Sequence, residues 1–141
     1  MTDQELQVRE VKKNYLKRYK RNLALIDRLN EKVKVLDARI YSIKSPSFSD
    51  MPRGGTPVTK EDLVNEKEEI KDRIARLEDK GKKLKAEILD KIDELEDYRY
   101  AEVLEAFFIE GKDFGDIAED NGYTVRHVIR LYTEAINTMS L

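Results

Sequence analysis

The stretch DFGDIAEDNGYTVRHVIRLYTEAI, Asp113 to Ile136, decides how this chain is read. Phe114, Ile117 and Ala118 recur at helical spacing and form one apolar face, and Gly122 follows four residues after the alanine. An alanine lets two helices cross closely, and a glycine ends a helix in the left-handed conformation without a Cβ clash. Beyond the glycine, Tyr123 is placed to pack inward and Thr124 to cap a second helix by accepting from the N–H groups of its first turn. Val128 and Leu131 then return to the core, which leaves Val125, Arg126, His127 and Arg130 facing outward. The spacing is that of a helix-turn-helix.

In such a motif the N-terminal turns of the second helix enter the major groove, where arginine pairs with guanine edges or grips phosphates. Thr124, Val125, Arg126, His127 and Arg130 are therefore the candidate residues for contact with double-stranded DNA. A small helical domain whose arginines only solvate its surface would show the same spacing. Upstream, Tyr98, Tyr100, Ala101, Val103, Leu104, Phe107 and Phe108 predict an apolar helix, and EGKD (110–113) a turn. Residues 98–141 thus read as a three-helix domain containing the motif.

The segment RYAEVLEAFFIEGKDFGDIAEDNGYTVRHVIRLYTEAI (99–136) resembles the region 4 helix-turn-helix of bacterial sigma factors. It is more similar still to small phage transcriptional regulators of the ArpU and RinA type. The layout as a whole, a charged helical N-terminal part before an IAE-type motif, resembles a family of short streptococcal phage proteins. The resemblance implies a phage or prophage regulator of late or packaging genes, an activator more than a repressor, which binds a promoter and contacts RNA polymerase. It also implies residence in the cytoplasm or nucleoid of the bacterial host. Asn121 departs from the sigma-like pattern, which has a leucine before the glycine, so packing at that turn must differ.

Charge is the second departure. From Tyr98 to Leu141 four basic residues, Arg99, Lys112, Arg126 and Arg130, face eight acidic ones, a net of −4, whereas duplex-binding domains usually carry a basic face. The acidic residues crowd the first two helices, at Glu102, Glu105, Glu110, Asp113, Asp116, Glu119 and Asp120. Basic charge lies at the other end of the chain, at Arg9, Lys12, Lys13, Lys17, Arg18, Lys20 and Arg21, with Glu10 the lone acid among them. Residues 1–60 carry 14 basic and 7 acidic side chains, a net of +7, against −9 for the remainder. Such asymmetry implies intramolecular or intersubunit pairing, or an arm that grips phosphate while Tyr15, Leu16 and Tyr19 pack. A charged stretch on a long helix is more often a solvated face, and the apolar stripe suits a partner helix better than a membrane surface.

Residues 1–97 are expected to form a helical coiled-coil hairpin. Tyr19, Leu23, Ile26, Leu29, Val33, Leu36, Ile40 and Ile43 recur at steps of three and four, and neither glycine nor proline interrupts the chain before Lys44. A single helix of about forty residues, roughly 60 Å long, follows. Thr59 with Asp62 is a variant capping box that opens a second stripe, Leu63, Ile70, Ile74, Leu77, Leu84, Ile88, Ile92 and Leu95. Gly81 occupies the seam between Leu77 and Leu84, to permit close helix approach or to mark a bend. Between the stripes, at about 44–59, SPSFSDMPRGGTPVT holds all three prolines and must be a loop. Arg53, Gly54 and Gly55 lack the strand and lysine of a phosphate-binding loop.

A two-helix hairpin has a thin core, so a homo-oligomer through the coiled coil is expected, with the coil setting half-site spacing. Catalysis is not expected. Cysteine is absent, so neither thiol chemistry nor a disulfide framework is available, and His127, the one histidine, cannot build a metal cluster. The carboxylates Asp93, Glu94, Glu96 and Asp97 lie in a charged helix without partners that would give them chemistry. No catalytic residue, cofactor or metal is therefore assigned. With neither a signal peptide nor an apolar run of membrane length, an intracellular, soluble protein is expected. The reading is an all-α regulator that binds double-stranded DNA as an oligomer. The alternative is a protein-interaction adaptor that binds RNA polymerase or another host or phage protein without reading DNA.

Overall fold

A computed structural model describes residues 2–44 and 58–141. The protein is all-helical, and among the described residues there is no strand. The elements are α1 (Asp3–Leu16), α2 (Arg18–Lys44), α3 (Lys60–Asp93), α4 (Tyr98–Phe108), α5 (Phe114–Asn121) and α6 (Val125–Thr138). The loop expected at 44–59 lies, apart from its ends, outside the described residues. Its far end is as predicted: Thr59 Oγ1 accepts from the Asp62 N–H at 3.1 Å and Asp62 accepts from the Thr59 N–H at 3.1 Å.

The single N-terminal helix expected to reach Lys44 is two helices. They divide at Lys17, whose backbone stays helical at φ −75 and ψ −10. Beside this division the Arg18 Nε donates to the Tyr15 carbonyl at 3.0 Å. Thr2 caps α1 through a full capping box with Glu5.

The chain forms two compact units, Met1–Leu23 with Lys80–Leu141, and Ala24–Asp79. The first is larger than residues 98–141, because α1, the start of α2 and the end of α3 belong to it. The reason is apolar. Leu16, Ile88 and Ile92 share one core with Val103, Leu104 and Phe108 of α4, Ile117 and Ala118 of α5, and Val128, Leu131 and Ile136 of α6. Inside that core Phe107 stacks on Phe114 with ring centres 4.9 Å apart, and Tyr132 meets both edge-on at 5.2 and 5.1 Å.

Glycine acts here by being small. Gly81 of α3 is buried against Asn22 of α2, where an added Cβ would stand 2.8 Å from the Asn22 amide nitrogen. Of the two explanations for this residue, close approach is the one the packing requires. It also shifts the stripe: Asn22 is buried at 6% exposure, while Leu23, expected in the seam, is 38% exposed. Tyr98, expected on the apolar face of its helix, is 68% exposed at the first position of α4.

In the second unit, Ile26 and Leu29 of α2 pack with Ile74 of α3, and Val33, Ile70 and Leu77 flank them. Asp37 pairs with Lys67. Partners on α3 thus fall in number as those on α2 rise. Ile43, expected within this stripe, is 45% exposed.

Candidate nucleic-acid interface

The turn that presents α6 is built from three local devices. Gly122 ends α5 with φ 68 and ψ 29, the left-handed region that favours glycine. The Tyr123 N–H then donates to the Ala118 carbonyl at 2.8 Å, closing the turn in the Schellman manner. Thr124 is extended, and its Oγ1 accepts from the His127 N–H at 3.1 Å to cap α6. Asn121, which stands where a packed leucine was expected, donates from Nδ2 to the Ile117 carbonyl at 2.8 Å. A backbone hydrogen bond replaces apolar packing at that corner.

α5 and α6 are held by the expected residues: Ile117, Ala118, Val128 and Leu131 are buried, and Phe114 and Tyr123 pack against them. Of the candidate contact residues, Thr124, Val125, Arg126 and Arg130 are exposed, and His127 is half-buried. The Arg130 guanidinium lies 2.8 Å from His127 Nδ1. Arginine can only donate, so Nδ1 is the acceptor and the imidazole proton belongs on Nε2. The Tyr123 ring meets the His127 ring edge-on at 4.8 Å. Tyr123, His127 and Arg130 therefore form a short chain of contacts that positions one guanidinium, with Arg126 one turn before it.

Ile129 completes this face. It is 43% exposed beside Val125 at 46%, so apolar Val125 and Ile129 run alongside Arg126 and Arg130. The spacing of four from Val125 was visible in the sequence, but an isoleucine in an amphipathic helix reads as core.

Six of the seven residues of the basic arm have partners inside the same compact unit. Arg9 Nε donates to Asn137 Oδ1 and Lys12 Nζ to the Asn137 carbonyl, each at 3.2 Å. Both cations sit near the C-terminal end of α6, where the helix dipole favours positive charge. Lys13 pairs with Glu10 at 3.7 Å, Arg18 with Glu87 at 3.0 Å, and Arg21 donates to Asn14 at 3.1 Å. Lys20 lies 4.1 Å above the Phe107 ring, and burial, reinforced by Lys17, lowers its pKa. Lys17 closes α1 through its backbone. The Arg18–Glu87 pair joins a base of this arm to an acid of the other half of the chain.

The acidic side of the three-helix region 98–141, the head of the chain, is partly neutralised. Lys112 bridges Asp120 at 2.9 Å and Glu110 at 3.3 Å, and these hydrogen bonds raise its pKa. Asp97 caps α4 and binds Arg99 at 2.9 Å, which lowers the carboxyl pKa. Counted over Met1–Leu23 and Lys80–Leu141, 16 basic residues face 17 acidic ones, a net of −1 in place of the −4 of residues 98–141.

Among the described residues no group of three or more His, Cys, Asp or Glu side chains is arranged to hold a metal ion. No helix among them is long and apolar enough to cross a membrane. No family model, curated protein or solved structure matches the chain.

Proposed function

We propose that the protein is a sequence-specific, DNA-binding transcription regulator in which α5 and α6 are the helix-turn-helix and α6 enters the major groove. The observation that carries this reading is the outward face of α6, where two arginines stand one turn apart beside two exposed aliphatic residues. Arg130 is pre-positioned by His127, which reduces the side-chain entropy lost when it meets a base edge or phosphate. The near-neutral charge of the compact unit supports the same reading, because it removes most of the repulsion expected of residues 98–141 alone. Residues 24–44 and 60–79 are read as the antiparallel coiled-coil hairpin, and two copies of the chain as the unit that occupies an operator. A phage or prophage regulator that activates late genes in contact with RNA polymerase is what the sequence resemblance implies, and it is part of this proposal.

Selection of sites from random duplex DNA by the full-length protein tests this. Recovery of a motif by the wild type, lost by Arg126→Ala/Arg130→Ala, is the expected outcome. Each arginine in contact with a guanine contributes roughly 1–3 kcal/mol of discrimination, so the double variant loses at least tenfold in affinity. Equal behaviour of both proteins at low salt refutes it. One observation favours the adaptor instead: Glu102, Asp113, Asp116 and Glu119 of the α4 and α5 region are exposed and suit a basic protein surface. Capture of RNA polymerase that survives the arginine substitutions would select that second reading.

A further inference from the structure

The outer face of α1 is unlike the rest of this highly charged chain. Gln4, Gln7, Val8 and Val11 recur at steps of three and four, so one uncharged stripe runs along the helix. Val8 is 50% exposed and Val11 61%, and Leu141, 51% exposed, extends the stripe beside them. Gln4, Gln7, Val8, Val11, Lys12 and Leu141 together line an open groove of about 510 Å³. The opposite side of the same helix is occupied, since Leu16 is fully buried and Arg9 holds Asn137, which Lys12 also reaches from the edge of the groove.

Charge says what fits the stripe. α1 is acidic at its start, with Asp3 and Glu5 in the first turn, and basic towards its end, with Lys12, Lys13 and Lys17. An identical helix laid antiparallel across the stripe meets this gradient in reverse. A two-fold axis near residues 9 and 10 sets Val8 against Val11 of the second copy. It also brings Glu5 on one edge towards Lys12 of that copy. The participating charges have capacity left for this. Lys12 uses one of its three donors on the Asn137 carbonyl, and Glu5 uses one carboxylate oxygen on the Thr2 N–H. Glu10, near the axis, is compensated within its own chain by Lys13. A parallel helix would instead set like charges against each other, and a partner of one sign would leave half of the helix repelled.

We infer that two copies of this chain associate through antiparallel packing of α1 on α1, with Val8 and Val11 at the centre and Glu5–Lys12 pairs across the two-fold axis. The inference rests on the proposed regulator only for its purpose, which is to bring two α6 faces to one operator. The contact itself needs no DNA. A helix of 14 residues is short for an interface, so association is weak and concentration-dependent. Two heads then gain most from it when both are engaged on one duplex.

Sedimentation equilibrium of the full chain without DNA, over a concentration series reaching hundreds of micromolar, tests the inference. Wild type is expected to dimerise, and Val8→Glu/Val11→Glu to remain monomeric with unchanged helical circular dichroism. Lys12→Glu or Glu5→Lys alone should each weaken the dimer by about tenfold, since symmetry turns two attractive pairs into repulsive ones. Glu5→Lys with Lys12→Glu should restore it, which simple misfolding would not do. Val35→Glu, on the 61% exposed Val35 of α2, should leave it unchanged. A wild type that stays monomeric, a Val8→Glu/Val11→Glu protein that still dimerises, or dissociation by Val35→Glu alone would overturn the assignment. The site-selection experiment fails separately: a dimer that recovers no motif removes the DNA reading and leaves this interface standing.

Discussion

Replacing Gly81 by alanine sets two effects of similar size against each other. At an exposed position in a helix interior the substitution stabilises by about 1 kcal/mol, because glycine has the larger backbone entropy to lose. Here the new methyl would stand 2.8 Å from Asn22 Nδ2, closer than real contacts allow, while Tyr19 at 4.0 Å is unaffected. Asn22 is only 6% exposed, so its amide must be displaced within a packed site. Disturbing a buried amide and its hydrogen bonding costs about 1–2 kcal/mol. The expected result for Gly81→Ala is therefore a change between zero and about 1 kcal/mol of destabilisation, with the propensity gain cancelled or outweighed. In an Asn22→Ala background the obstacle is gone, and the same substitution should stabilise by about 1 kcal/mol. The coupling energy of the cycle is then about 1–2 kcal/mol. Urea denaturation of the four proteins, followed by far-ultraviolet circular dichroism, measures it. Equal stabilisation by Gly81→Ala in both backgrounds would refute the claim that this glycine exists to admit Asn22.

Three further outcomes follow from the head. Thr124→Ala removes the cap on α6 and should lower stability by about 1 kcal/mol, with Thr124→Ser close to wild type in thermal melts. Phe108, fully buried against Phe107 and Tyr132, should cost about 3–5 kcal/mol when cut to alanine, read as a large drop in the urea midpoint. Burial, aided by Glu10, pushes the Tyr132 hydroxyl up to about 12, so the folded chain keeps a proton that the unfolded chain releases near its ordinary value of about 10. Its stabilising contribution is thus complete below pH 10 and fades as pH rises to 12. The loss is on the order of 2 kcal/mol. A Tyr132→Phe variant should lack this component of the alkaline decline in melting temperature; an identical decline in both proteins would contradict it.

Some of this was legible because it is local. Gly122, Thr124 and the Thr59 with Asp62 pair were readable from sequence since each acts within one turn of its own backbone. Buried Ile117, Val128 and Leu131 followed from helical periodicity. Other assignments failed where periodicity allows two neighbours to take the same place. Asn22, and not Leu23, faces Gly81, because only a partner helix of known register can choose between adjacent residues. Ile129 was hidden in an apolar pattern, and Tyr98 was drawn into one, although both are exposed. The basic arm was visible as charge, but its destination was not: lysine and arginine carry long apolar stems, so Lys20 can lie over Phe107 while reading as a surface cation.

The sequence by itself determined the helical class, the position of the α5–α6 turn and the candidate outward face of α6, since hydrophobic period, capping hydroxyls and a left-handed glycine are properties of neighbouring residues. Tertiary structure alone decided that the head extends beyond residues 98–141 to take in Met1–Leu23 and Lys80–Asp97. It decided too that Arg9 and Lys12 reach Asn137, more than a hundred residues away. Such contacts depend on how whole helices pack, and no repeat along the chain encodes which helix meets which.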